Sequence, residues 1–141
     1  MISIQQQKYI NMCLELAAKS SYRFRLGAVI TEGGRVRGIG YSKYQNSPTN
    51  VHDDHLKQCS VHAEMDALRD YTNNNFFNKD HLKRATIFVA RINKAGSPVL
   101  AKPCRRCTKF LLDGGITKFI WTINELQCGI SKVETMISAT F

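Results

Sequence analysis

At 141 residues and 43% hydrophobic composition, the chain fits a single domain over 1–141, able to bury roughly two-thirds of the surface its unfolded form exposes. Its formal charge of +9 is spread along the chain, which disfavours cationic partners and favours anions such as nucleotides or nucleic acid. Met1 to Ser20 carries no apolar run of signal-peptide or membrane-spanning length, so neither export nor a membrane span is expected and a cytoplasmic location is; five cysteines in such a chain argue for metal binding or buried thiols over a disulfide framework.

Ile10, Cys13, Leu14 and Ala17 recur at helical spacing and predict an amphipathic helix from about residue 4 to Ser20. Cys13, and Cys128 near the C-terminus, read as small buried hydrophobes. The apolar run Leu26-Gly27-Ala28-Val29-Ile30, the Gly33-Gly34 pair and the stretch from Arg35 to Tyr41 predict a β-hairpin, with poor alternation in its second strand. Ser42 to Cys59 has no periodicity; a loop this long is more often functional than inert. Ser60 suits an N-cap, and Val61, Met65 and Leu68 form an apolar stripe, so a helix from about Val61 to Tyr71 is expected, stopped by Asn73-Asn74-Asn75.

Ala85 to Arg91 is rich in β-branched and aromatic residues, as in a buried strand, and Asn93 to Pro98 reads as a turn. Pro103 suits the first turn of a helix that Asp113-Gly114-Gly115 would end, and Lys118 to Thr122 is a further strand. Strand, helix and strand over 85–122 make a βαβ unit with parallel strands. The tail from Glu125 to Phe141 is assigned a short helix, and no internal repeat or domain boundary is seen.

Two distant stretches carry the chemistry. In Lys102-Pro103-Cys104-Arg105-Arg106-Cys107 the two cysteines are three apart, on one face of a helical first turn, where the helix dipole favours thiolates. That pair alone suits a metal, a redox couple or two ordinary thiols. His62 supplies an imidazole that would complete a His and two Cys set, leaving the fourth position of a tetrahedral zinc open to water. Cys59, His52 or His55 would instead close the site as a structural one, and the His52, His55 and Cys59 spacing could hold a second zinc. Glu64 is the candidate general acid and base beside zinc-activated water. Residues two apart on a helix point to different faces, so His62 and Glu64 can share a site only if the first turn departs from ideal geometry.

His62-Ala63-Glu64 followed by Pro103-Cys104-Arg105-Arg106-Cys107 resembles the cytidine and deoxycytidylate deaminase superfamily, in the signature known for zinc deaminases. Leu26 to Ile30, Gly38 to Tyr41 and Gly115 to Lys118 are similar to its flanking elements, so the resemblance covers roughly residues 5 to 122. It implies His62, Cys104 and Cys107 as zinc ligands, Glu64 as proton shuttle, a three-layer α/β/α fold with a central mixed sheet of about five strands, a homo-oligomer, and hydrolytic release of ammonia from C4 of cytosine or C6 of adenine. Many relatives carry Asn, a sugar contact, where this chain has Ser42. Gly40-Tyr41-Ser42-Lys43 also departs from the Gly-Tyr-Asn-Gly of triphosphate-regulated relatives, so that regulation is not carried over.

The substrate expected first is a free cytosine nucleotide or nucleoside, with Ser42, Ala63, Arg105 and Arg106 as candidate contacts and Lys43 or Lys102 also available for phosphate. The charge of +9 supports an alternative: a nucleic-acid deaminase on which Tyr41, Tyr44, Phe76 and Phe77 stack bases. A zinc-stabilised binding module without catalysis is the remote third reading.

Overall fold

The computed structural model describes residues 3–44, 60–74, 82–125 and 131–137. Helix α1 (Ile4–Lys19) begins where Ser3 and Gln6 cap one another: the Ser3 hydroxyl accepts from the Gln6 amide and the Gln6 side chain accepts from the Ser3 amide. Its buried stripe is Tyr9, Ile10, Cys13, Leu16 and Ala17. Strands β1 (Arg25–Glu32) and β2 (Arg35–Tyr41) form the expected hairpin, turning through Gly33 and Gly34 at φ 59° and 78°. Positive φ at both central residues matches the twist of the flanking strands. The poor alternation of β2 has a structural cause: Ile30 pairs with Gly38 but Thr31 with Val36, so Arg37 is an extra residue in a bulge.

A two-residue bridge, β3 (Lys43–Tyr44) against β4 (Ser60–Val61), precedes helix α2 (Ala63–Asn74). Here the structure corrects the expected helix start. Ser60 is not an N-cap but a bridge residue; the chain stays extended to Val61, and His62 takes the cap position, its carbonyl accepting from the Asp66 amide at 2.9 Å. Beyond it lie β5 (Ala85–Ile92), the short β6 (Pro98–Val99), α3 (Arg105–Gly114), β7 (Lys118–Glu125) and β8 (Ser131–Ile137). The expected C-terminal helix is therefore a strand in part. Val133, Thr135 and Ile137 recur at the strand period of two, and β8 satisfies the outer edge of β7 by antiparallel pairing.

The sheet runs β2-β1-β5-β7-β8, with β6 on β5; β5 and β7 are parallel, as a βαβ unit requires, and the remaining pairs are antiparallel. This is the mixed sheet of about five strands expected, and helices cover both faces. Alternation along β1 and β5 divides the core: Val29, Phe88 and Ala90 pack with α1, whereas Ala28, Ile30, Ile87 and Val89 pack with α2 and with Leu111 of α3. Cys13 is fully buried among the first set, donating to the Phe88 carbonyl at 3.3 Å. Among the described residues no helix is long and apolar enough to cross a membrane.

Two glycines of β2 set how closely α2 lies on the sheet. A Cβ on Gly38 would stand 2.5 Å from the Ala67 carbonyl oxygen, and one on Gly40 would collide with the Ala67 amide and stand 2.7 Å from the Ala63 carbonyl oxygen. Gly40→Val is expected to lower unfolding free energy by about 2 kcal/mol or more, an overpacking cost raised by a backbone obstacle. Gly33→Asn is expected to change it little, because that turn has open space and Asn tolerates positive φ. Denaturant midpoints of the two variants measure the contrast.

Candidate metal centre

The register of β5, β6 and β7 delivers the cysteines. β5 ends at Ile92, and the chain turns through Asn93 to Ser97, where the Asn93 side chain accepts from the Ala95 and Ser97 amides. β6 then returns along β5, Val99 opposite Arg91. The Thr122 hydroxyl donates to the Val99 carbonyl at 2.8 Å, and the Ala101 amide donates to the Thr122 carbonyl at 2.9 Å, which ties the approach to α3 across the end of the sheet. Cys104 is the N-cap of α3, its sulfur accepting from the Cys107 amide at 3.4 Å, and Gly115 closes the helix at φ 112°. Pro103 thus stands just outside the helix rather than in its first turn.

His62 Nδ1 lies 3.1 Å from Cys107 Sγ and 4.0 Å from Cys104 Sγ, and the three ligand atoms all fall within 4.8 Å of one another. Tetrahedral zinc, with bonds of about 2.0 Å to nitrogen and 2.3 Å to sulfur, separates such ligand atoms by roughly 3.6 Å. The two nitrogen–sulfur distances bracket that value, so the set fits zinc. Cys107 is buried while His62 and Cys104 are exposed, which leaves the site open on one side.

Glu64 is 3% exposed, on the first turn of α2. Burial pushes its carboxyl above the ordinary carboxylate range, opposed by its own backbone amide, by His62 and by a hydrogen bond with Cys107. Burial likewise drives the Cys107 thiol up, with the Glu64 charge and the neighbouring Cys104 adding to the effect and Arg106 opposing it. A buried thiol crowded by a carboxylate and a second sulfur resists ionisation, and a cation bound beside it would favour the thiolate. The geometric difficulty of His62 and Glu64 disappears because the two are not on the same helix: His62 caps it and Glu64 lies inside it.

The other expected contacts are distributed unevenly. Arg105 and Arg106 are exposed in the first turn of α3, next to Cys104. Ala63 is buried, its side chain in the core under the sheet, so only its backbone can meet a substrate. Ser42 is 2% exposed and its hydroxyl is already engaged: it donates to the Phe24 carbonyl at 2.6 Å, accepts from the Leu26 amide at 3.0 Å and lies 2.9 Å from the Ser20 hydroxyl. Lys43 is engaged too, 2.9 Å from Asp66 and over the Tyr41 ring. His52, His55, Cys59, Phe76, Phe77 and Cys128 lie outside the described residues.

Two features were not anticipated. Asp66 and Asp70, one turn apart on α2, accept from the Tyr41 and Ile39 amides at 3.2 and 2.9 Å and so occupy the outward edge of β2. Their spacing of four is a visible signal, but nothing in it says that a strand edge lies alongside. Arg23, Phe24 and Arg91 also converge, and the Arg-Phe-Arg run at 23–25 was the one available hint.

An α/β/α sheet with a His and two Cys set at its edge and a buried carboxylate beside them defines a zinc-site deaminase. The family described as the cytidine and deoxycytidylate deaminase zinc-binding region matches residues 3–123, so the chain belongs to that family and is a zinc-dependent deaminase. The fold is similar to that of cytidine deaminase from Burkholderia pseudomallei, at 16% identity over 95% of this chain and 93% of that one, TM-score 0.62. It is also similar to dCMP deaminase from the cyanophage S-TIM5, at 16% identity over 86% of each chain, TM-score 0.59. Cytidine deaminase from Mycobacterium tuberculosis is a further likeness, at 18% identity over 84% of this chain and 85% of that one, TM-score 0.54. No curated protein sequence matches.

Elemental analysis of purified protein is expected to find about one zinc per chain, lost when Cys107 is changed to Ser, because three protein ligands become two. Two zinc ions per chain would instead bring His52, His55 and Cys59 into use.

Proposed function

We propose that the protein hydrolyses the exocyclic amine of a cytosine-containing nucleotide or nucleoside, of the dCMP or cytidine type, giving the uracil product and ammonia. The observation that carries this reading is a three-donor metal set, His62, Cys104 and Cys107, that is open on one side, with the buried carboxyl of Glu64 two residues from His62 on the first turn of the helix that His62 caps. Zinc held by His62, Cys104 and Cys107 supplies a Lewis acid that makes a nucleophile of water near neutral pH.

Glu64 does the proton work. In the reaction a bond forms between water oxygen and C4, and the bond from C4 to the amine breaks; one water proton ends on ring N3 and the other on the departing ammonia. Its raised affinity for a proton suits Glu64 to take each from water and hand it on. Removal from bulk water also keeps those transfers local, since the side chain is nearly enclosed.

Arg105 and Arg106 support an anionic substrate. They stand exposed beside Cys104 at the positive end of α3, so a phosphate attached to the base-bearing sugar has charge to meet there. The similar cyanophage S-TIM5 dCMP deaminase, also solved in complex with dCMP and dUMP, agrees with this class of substrate. The central sheet with core on both faces supports one deaminase domain over 1–141. Exposed Val36, Ile39, Leu100 and Phe110 supply apolar surface for a homo-oligomer. The free thiols of Cys13, Cys104 and Cys107 suit a reducing, cytoplasmic setting.

Mass-spectrometric assay of purified protein against free nucleosides and nucleotides is expected to show turnover of dCMP or cytidine with release of ammonia. Glu64→Ala is expected to reduce it at least about a hundredfold while zinc content and fold are kept. Wild-type protein inactive on every pyrimidine tested would sink the reading and favour a zinc-stabilised binding module.

A further inference from the structure

Next to the metal centre, the segment entering β1, the bridge β3 and the end of β5 bring aromatic and cationic side chains together. Tyr22 lies edge-on to Phe24 and to Tyr44, with ring centroids 5.8 and 4.9 Å apart. The Arg23 guanidinium stands 4.8 Å from the centroid of the Phe24 ring and that of Arg91 stands 5.2 Å from it. Phe24 is 41% exposed and Tyr44 50%.

Charge on this cluster is uncompensated. Lys43 is paired with Asp66, and among the described residues neither Arg23 nor Arg91 forms an ion pair with a carboxylate. Arg91 Nε is shielded from water with no hydrogen-bond partner. Guanidinium groups held against a ring, rather than against a carboxylate, keep N–H donors available for an anion. The cluster is also rigidly seated. Ser42 holds the Phe24 carbonyl and the Leu26 amide, while Ser20 Oγ donates to the Ser42 carbonyl at 2.6 Å.

Its position relative to the metal centre follows from strand pairing. Tyr44 is opposite Ser60, and His62 is two residues beyond. Leu26 is opposite Arg91, whose strand leads through β6 to Cys104. A mononucleotide seated at the metal centre needs one phosphate site, which Arg105 and Arg106 already offer. A second basic site with an exposed aromatic edge fits the next phosphate and base of a polymer.

We propose that Arg23, Arg91, Phe24 and Tyr44 form a surface for single-stranded nucleic acid, the guanidinium groups taking a backbone phosphate and Tyr44 the base beside the target cytosine. The assignment of a target cytosine rests on the deaminase reading above; the binding surface itself does not.

Binding is measured by fluorescence anisotropy of a labelled cytosine-rich single strand with zinc-loaded Glu64→Gln protein, so that turnover does not intrude. Arg23→Ser and Tyr44→Ala are both at exposed or half-exposed positions, and circular dichroism checks that each folds. Tyr44→Ala is expected to weaken strand binding at least about fivefold, the loss of one stacked base. Arg23→Ser is expected to reduce the slope of log affinity against log salt by about 0.7, the loss of one single-strand phosphate contact. Affinity unchanged in the double variant would overturn the proposal, as would free dCMP competing as well as the strand at equal phosphate concentration. Turnover of dCMP by wild-type protein is read separately. Strand binding that depends on the cluster without any turnover would support the surface and overturn the deaminase reading; turnover with no such dependence would do the reverse.

Discussion

The metal centre depends on how closely helix α2 can approach the sheet, and that distance is set by two residues that have no side chain. Gly38 and Gly40 let the backbone of Ala63 and Ala67 come down onto β2, closer than any Cβ permits. On the other face Gly27 does the same for α1, where a Cβ would collide with the Cys13 carbonyl and crowd Ala17. With α2 seated, His62 at its cap and Glu64 in its first turn hold a fixed height above the strand ends. The cysteines arrive from α3, whose start is tied to β7 through Thr122. Two close approaches, one from each helix, therefore bring residues 42 or more positions apart in sequence to hydrogen-bond distance.

Electrostatics at the site follow from that packing. Glu64 and Cys107 are buried together: burial raises the cost of charge on both, and the Glu64 charge raises it further on Cys107, a cost that a cation bound beside them would relieve. Outside the site the basic residues do not cancel. Lys43 is paired with Asp66, while Arg23 and Arg91 lean on Phe24. Lys102 stands 5.7 Å from the Trp121 centroid. An excess of basic charge held partly on aromatic rings, close to a metal centre, is a surface suited to anions.

Much of this was legible before any fold was known, and the reason is local. The hairpin needed Gly33-Gly34, the helix after Pro103 needed Gly115, and the strands at 85 and 118 were β-branched and aromatic; each is a property of neighbouring residues. What failed was also instructive. Ser60 looked like a cap because it preceded an apolar stripe, yet pairing with Tyr44 kept it extended. The tail was read as helix, although half of it pairs with β7, a partner no local pattern identifies. Ser42 had the chemistry of a substrate contact, but three hydrogen-bonding neighbours from two other segments had already claimed its hydroxyl.

By itself, the sequence determined most of the elements and the donor set of His62, Cys104 and Cys107, and singled out Glu64 as the candidate carboxylate, because residue type and short-range spacing suffice for those. Only the tertiary structure decided that His62 caps a helix which Glu64 enters, that His62 meets Cys104 and Cys107, and that Ser42 is enclosed while Phe24 is not. Those outcomes rest on contacts between segments far apart in the chain, made by strand register and by backbone packed on glycine, and such contacts leave no periodic trace in the residues that make them.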